Sequence, residues 1–324
     1  MAQSLAAESA QVIFTSSGTE ANNHVLLSHY FAAQREKRDL HLVISSIEHA
    51  CVRNTAEFIQ SLGGKISVCP VDEQGIVSLD RLKAICESGP VDLISIMLAN
   101  NEVGTIQPVS EIVSLANTYG IPVHTDAVQA FGKIPLSFSK LGVDFMTISG
   151  HKIGAPKGIG GLIAKQPNSL LPLLHGGAQE KGHRAGTENT LSIIGLGIAC
   201  ANLQDNSMTN EGIEWLWQEL QKKIPTSVRN GDPKNTLPNT LNVSFPGVSA
   251  QAIVRNLDLE GIAISTGSAC STGSINPSHV LEAMGFPPER TTSAIRLSLG
   301  PATTKKDLET TIEALSRIIL RLQA

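Results

Sequence analysis

No two cysteines of this chain are closely spaced, no apolar run is long, and no stretch concentrates charge of one sign. Each absence excludes something. The five cysteines, Cys51, Cys69, Cys86, Cys200 and Cys270, form no CxxC pair. An odd, scattered set argues against a disulfide scaffold and against a structural zinc site. It points to a reducing compartment, where a cysteine matters as a thiol. The apolar runs fall short of the ~20 residues that a membrane helix needs. With 25 Lys and Arg against 29 Asp and Glu, net charge −4, electrostatics supply no reason to expect nucleic acid or membrane binding. The start, MAQSLAAESAQVIF, lacks the basic n-region and the long apolar h-region of a secretory signal, so a cytoplasmic place of action is expected.

What is present is an ordinary globular composition, 41% hydrophobic and 17% charged over 324 residues, enough for a large core and two domains. Seven β-branched runs read as strands: 11–15, 42–46, 66–70, 92–97, 121–125, 145–149 and 160–164. Helical patterns fall between most of them, at 19–35, 50–62, 79–87 and 109–119. That alternation predicts an α/β fold with a mainly parallel, doubly covered seven-stranded sheet. In such sheets ligands bind outside the carboxyl ends of the strands, so the residues just past each run carry the interest. Beyond about 205 the rhythm changes. A long helix over roughly 188–223 leads to strands near 240–245, 261–265 and 294–298 and a last helix. Thr304 and Asp307 have capping-box spacing at its start, and Leu308, Ile312, Leu315, Ile319 and Leu322 mark one apolar face. The expected division is a large domain over 1–205 and a smaller α+β domain over 206–324.

Three segments carry chemistry. In FMTISGHKIGAPKG (145–158) a strand ends at Ser149 and Lys152 follows in a glycine-punctuated loop. Covalent catalysis on an amino acid through pyridoxal 5′-phosphate (PLP) needs such a lysine to form a Schiff base. Ser149 and His151 can hydrogen-bond the phosphate and ring. In AQVIFTSSGTEANNH (10–24) a strand passes through Gly18 and Thr19 into a helix, whose N-terminus makes a phosphate cradle. In IPVHTDAVQAFG (121–132) Asp126 falls at a strand's carboxyl end, where a carboxylate can pair with a protonated pyridine nitrogen; Gln129 can reach the ring's 3′ oxygen. Alone, each has a plainer reading: a surface lysine in a turn, an ordinary capped helix, a solvated loop aspartate. Together with His49 and Asn100-Asn101 they follow one another in order, each just past a strand, where one cleft can collect them.

At this point the chain resembles the class V, fold-type I PLP enzymes, and within them the cysteine desulfurases. FTSSGTEANN (14–23), SSIEHACV (45–52), MLANNEVGTIQP (97–108), HTDAVQAFGKIP (124–135), SGHKIGAPKGIGGL (149–162), HGGAQEKGHRAGTEN (175–189), LPNTLNVSF (237–245), STGSACSTGSINPSHVL (265–281) and AIRLSLG (294–300) match in the family's order. The resemblance implies that Lys152 holds PLP and moves protons. Gly18, Thr19, Ser149 and His151 bind its phosphate, and Thr187 reaches a neighbouring subunit's site in a homodimer. It implies that His49 stacks on the ring and helps move protons as a catalytic residue, that Asp126 pairs with the ring nitrogen and Gln129 with the 3′ oxygen. Asn101 and Arg296 hold the carboxylate of L-cysteine, a role that suits arginine's planar fork. Cys270 takes the sulfur as a persulfide and passes it to an acceptor or scaffold protein.

Cys270 lies in STGSACSTGSIN, small and polar, a context that fits a mobile loop better than a buried small hydrophobe. Its spacing to PSHVL resembles the long-loop desulfurases of iron–sulfur assembly. The other four cysteines fall in helical or strand runs and read as packing residues, as do Trp215 and Trp217. His24, His29, His41, His175, His183 and His279 show no metal spacing, so no metal is expected. The family pattern usually includes a further N-terminal segment, which is expected to be lacking here; an organellar address would go with it. Ala155-Pro156 and Pro301 are smaller departures. Three alternatives remain open: a selenocysteine lyase, an aminotransferase of the same fold, and a truncated, non-catalytic homologue that acts as a binding partner.

Overall fold

The computed structural model describes residues 1–203, 207–266 and 277–323. Its larger sheet has seven strands: β1 Val12–Thr15, β2 His41–Ser45, β3 Lys65–Cys69, β4 Leu93–Ser95, β5 Val123–Asp126, β6 Phe145–Ser149 and β7 Gly160–Ala164. They lie in the order β1-β7-β6-β5-β4-β2-β3. β3, β2, β4, β5 and β6 pair in parallel, and β7 runs antiparallel to both β6 and β1. Two reversals restore direction, so β1 and the parallel strands end on the same edge. The predicted strands agree with these within one or two residues at most ends.

Helices α1 Gly18–Arg35, α2 Ala50–Ser61, α3 Leu79–Glu87 and α4 Val109–Thr118 follow β1 to β4. Their starts are written locally. Ser17 Oγ accepts from Glu20 N at 3.1 Å, and Ser78 Oγ from Arg81 N at 3.3 Å. The His49 ring does the same for Cys51 N at 3.2 Å. Ala21, Val25, Val52, Ala56 and Ile59 of α1 and α2 pack on Leu42, Ile44, Leu93 and Leu162 of the sheet. Val43, between Leu42 and Ile44, points to the opposite face and is also fully buried, so β2 is covered on both sides. Burying one such side chain is worth about 1.5–3 kcal/mol. Two glycines let α1 sit against the strand ends. A Cβ on Gly160 would lie 2.5 Å from the Ser17 carbonyl carbon, and one on Gly18 would lie 2.8 Å from Val128 Cγ2.

The chain divides into two compact units. The first comprises 1–70, 77–99 and 107–203; the second comprises 71–76, 100–106 and 204–324. The first also holds the short α5 Phe138–Leu141 and α6 Thr190–Ala201. The expected continuous helix over 188–223 is described instead as α6 and a separate α7 Ser207–Lys223. Asn202 caps α6: its backbone N–H bonds back to Ile198 O at 3.1 Å and its side-chain amide bonds the same oxygen at 2.8 Å. Local competition of this kind by an asparagine closes a helix.

The second unit has the antiparallel sheet β10-β11-β9-β8, built from β8 Val228–Asn230, β9 Thr240–Ser244, β10 Ser265–Thr266 and β11 Ala294–Ser298. β8 was not expected, and β10 is shorter and later than the predicted 261–265. α7, α8 Ala250–Leu259 and α11 Lys305–Gln323 pack on this sheet through Leu216, Leu220, Ile253, Leu257, Leu315 and Ile319. The α11 capping box forms as expected: Thr304 N donates to Asp307 Oδ2 at 2.8 Å and Asp307 N to Thr304 Oγ1 at 3.3 Å. Short helices α9 His279–Ala283 and α10 Pro288–Thr291 complete the unit. Residues 100–106 join it through backbone bonds, Ile106 N to Asn235 O at 2.8 Å and Leu237 N to Gly104 O at 2.9 Å.

Candidate active site

In the first unit the strand ends gather most of the predicted residues on one edge. Asp126 is the last residue of β5 and Ser149 the last of β6, the two strands being paired. Lys152 lies in the 3₁₀ turn Gly150–Ile153 directly after β6. His49 stands four residues past β2, at the start of α2, and Gly18 and Thr19 open α1. Intrahelical bonding in α1 begins at Ala21, whose N–H reaches Ser17 O at 3.1 Å. Helix geometry therefore leaves the Gly18 and Thr19 N–H groups to an outside acceptor, at the positive end of the helix dipole.

Asp126 is buried, only 6% exposed. Burial raises its carboxyl pKa above the ordinary carboxylate range. The Val128 N–H at 2.9 Å, the Asn22 amide at 2.6 Å, the His49 ring when it is protonated, and the Lys152 charge act in the opposite direction. Lys152 and His151 are exposed. Ser149 Oγ and His151 Nδ1 are hydrogen-bonded at 2.9 Å, and burial, Lys152 and Lys157 together lower the imidazole's pKa. Gln129, in the turn after β5, accepts from Lys133 Nζ at 2.6 Å. Thr187 is exposed in the turn before α6, beside the Arg184–Glu20 ion pair at 2.9 Å.

Three residues of this cluster were not assigned from sequence. Asn22, one turn into α1, bonds Asp126. Glu48 is fully enclosed, with Oε1 accepting from Ser45 Oγ at 2.5 Å and Met97 N at 2.9 Å, and burial pushes its pKa up to about 8. Cys51, expected only to pack, has its sulfur 3.0 Å from His49 Nδ1 and 3.0 Å from Asn22 Nδ2. The sequence signal for all three was proximity: Asn22 is four residues from Gly18, and Glu48 and Cys51 flank His49.

In the second unit Asn101 and Arg296 come together. Arg296, on β11, donates from Nη1 to Asn101 O at 2.5 Å. Its Nε is buried and has no hydrogen-bond partner among the described residues, and burial lowers the guanidinium pKa. An enclosed cation with an unused donor suits an anionic ligand, for which a carboxylate's paired oxygens are the natural match. Cys270 falls in 267–276, outside the described residues. Among the described residues no group of three or more His, Cys, Asp or Glu side chains is arranged to hold a metal, and no helix is long and apolar enough to cross a membrane.

Two observations test whether the first-unit cluster fits PLP. A Cβ on Gly18 would come within 2.8 Å of Val128 and 3.3 Å of Ser149, so only glycine lets the helix start approach the strand ends this closely. The buried Asp126 carboxylate, with Asn22 Oδ1 beside it buried and lacking a partner among the described residues, favours a cation that can also donate. A phosphorylated pyridinium has both properties, and the donor set fits it.

Residues 1–310 match the family described as aminotransferase class-V. The cysteine desulfurase IscS of Dictyoglomus turgidum is 43% identical over 328 residues, spanning 100% of this chain and 82% of that protein. The cysteine desulfurase IscS of Methanosarcina thermophila is 41% identical, spanning 99% of this chain and 80% of its own. Among solved structures, a NifS-like protein superposes with a TM-score of 0.89 at 34% identity, covering 99% of this chain and 85% of that one. A NifS-like protein from Rickettsia africae gives 0.84 at 37%, with coverage of 98% and 85%.

Proposed function

Because this chain belongs to the class-V aminotransferase family, together with the cysteine desulfurases, we propose that it removes sulfur from L-cysteine with PLP as cofactor and leaves L-alanine. The observation that carries the reading is the buried Asp126 at the end of β5, on the same strand edge as Ser149, Lys152 and His49. Bound PLP would supply an electron sink joined to the substrate's α carbon. Asp126 would hold the ring nitrogen protonated, a pairing that offsets the cost of its own burial. Gly18, Thr19, Ser149 and His151 would bind the phosphate, His49 the ring face and Gln129 the 3′ oxygen. Lys152 Nζ would hold the cofactor at rest and then take the proton from the substrate's α carbon. Arg296 and Asn101 would orient the substrate carboxylate.

Cys270 is assigned the sulfur. Its thiolate attacks the substrate sulfur, the Cβ–S bond breaks with its electron pair going to carbon, and protonation there completes L-alanine. The sulfur remains as a Cys270 persulfide, so one cysteine and one thiol give one alanine and one persulfide. An acceptor or scaffold protein, in iron–sulfur assembly or a related pathway, would take it on. A second copy of the chain is the expected partner of Thr187, and the exposed Leu191, Ile194 and Ile198 that follow it on α6 support an apolar contact there. The cytoplasm is the proposed place of action.

The test is the visible absorption of the purified chain with PLP before and after L-cysteine. We expect a cofactor band that moves with cysteine, is absent in Lys152→Ala, and persists in Cys270→Ser without persulfide formation. Alanine production undiminished in Cys270→Ser would remove Cys270 from the reaction, and a band unaltered in Lys152→Ala would remove Lys152.

A further inference from the structure

We propose that Cys51 is a positioning residue: its thiol, held by Asn22 against the Asp126 carboxylate, donates to the His49 Nδ1 that its own backbone N–H already marks as an acceptor, and so holds the rotation of that ring. Its significance for catalysis rests on the reading of this cluster as the cofactor site; the hydrogen-bond assignment itself does not.

The connections can be followed atom by atom. Asn22 has two amide hydrogens on Nδ2. One reaches Asp126 Oδ2 at 2.6 Å and the other the Cys51 sulfur at 3.0 Å. The carboxylate sets this orientation, because the flipped amide would place an oxygen against an oxygen. The Cys51 sulfur then lies 3.0 Å from His49 Nδ1. Either atom could donate in an isolated pair, but this pair is not isolated. The Cys51 backbone N–H also reaches Nδ1, at 3.2 Å, and a backbone N–H only donates. Nδ1 is therefore an acceptor, so the thiol S–H is the donor and the neutral ring carries its hydrogen on Nε2.

The thiol can keep this role. Burial and the charge of Asp126 push the Cys51 pKa up to about 12, so the group stays protonated at any physiological pH. The same protonation makes it a poor nucleophile, so a second thiol beside His49 does not compete for the sulfur assigned to Cys270. The relay fixes one ring rotation of His49, a side chain otherwise exposed at the start of α2. It joins two groups assigned to the same pyridine ring, one to its nitrogen and one to its face.

The experiment compares wild type with Cys51→Ala and Cys51→Ser, first without cofactor. Nitrogen-15 NMR of the labelled histidines reports the His49 tautomer and the hydrogen bonding at Nδ1. Fluorescence titration with PLP then reports affinity. Wild type is expected to show a protonated Nε2 and a hydrogen-bonded Nδ1. Cys51→Ala should shift the Nδ1 resonance toward a less hydrogen-bonded position and weaken PLP binding by roughly threefold, the factor one weak hydrogen bond is worth. Cys51→Ser, which keeps a donor and an acceptor, should restore both. A proton on Nδ1 in wild type, or an Nδ1 resonance unmoved in Cys51→Ala, overturns the proposal. If the resonance moves as expected while wild type binds no PLP, the relay stands and the cofactor reading fails.

Discussion

Replacing Glu48 with glutamine should leave stability almost unchanged near pH 4.5 and increase it progressively at higher pH. The Glu48 side chain is 1% exposed, and its Oε1 accepts from Ser45 Oγ at 2.5 Å and Met97 N at 2.9 Å. Burial raises its pKa from 4.5 to about 8; the two hydrogen bonds oppose that rise and the charge of Asp126 adds to it. A carboxyl with a raised folded-state pKa holds its proton more tightly folded than unfolded. Below about 4.5 both states are protonated and the group is neutral in its effect. Above that the unfolded chain ionises first, so stability falls until about pH 8, where the folded chain ionises too. At about 1.4 kcal/mol per pH unit, the loss is roughly 3 kcal/mol by pH 7 and roughly 5 kcal/mol by pH 9. Glutamine's amide oxygen can accept from the same two donors and never ionises, so Glu48→Gln escapes the loss. Urea unfolding of both chains, followed by circular dichroism at pH 4.5, 7 and 9, measures the difference, in which the other titrating groups cancel. A difference that stays constant across that range, or a wild type more stable at pH 9, would refute the argument.

The opposite sign is expected at His124, which is fully buried between Ser95 Oγ at 2.8 Å and Thr147 Oγ1 at 3.1 Å, its pKa pushed down to about 3 by burial and by His29. The unfolded imidazole takes up its proton near 6.5 and the folded one does not, so stability falls as pH drops from 6.5 toward 3; acid titration should find His124→Gln losing less than wild type between pH 6 and 4. Gly18→Ala sets a methyl 2.8 Å from Val128 Cγ2 and should cost about 1–3 kcal/mol in thermal or chemical unfolding, with weaker PLP binding; unchanged stability and affinity would contradict the close approach. Arg296→Lys keeps the charge but loses the planar fork, and steady-state kinetics should show KM for L-cysteine up by roughly tenfold with kcat little changed, as for one lost charge-assisted hydrogen bond of about 1.4 kcal/mol.

The positions of Asp126 at the end of its strand, and of Lys152, Gly18 and His49 just past theirs, were legible because strand, turn and helix start are written in adjacent residues. β-branched runs end, a glycine or polar residue turns the chain, and Ser17 or Ser78 caps the next helix. The Thr304–Asp307 box at the start of α11 is local in the same sense. The ordered series of motifs also identified the family. What could not be read lies in contacts between distant segments. Asn22 and Asp126 are 104 residues apart and meet only because β1, β7, β6 and β5 stand side by side. Residues 71–76 and 100–106 belong with the second unit: Gln74 O accepts from Thr105 Oγ1, Thr105 Oγ1 accepts from Asp232 N, and Ile106 N and Gly104 O bond Asn235 and Leu237, which no local pattern announces. The raised pKa values of Glu48 and Cys51 likewise depend on which side chains close over them. Propensity and capping act over a few residues and are encoded where they act. Desolvation and cross-strand hydrogen bonding depend on neighbours in space, and only the tertiary structure decides which neighbours those are.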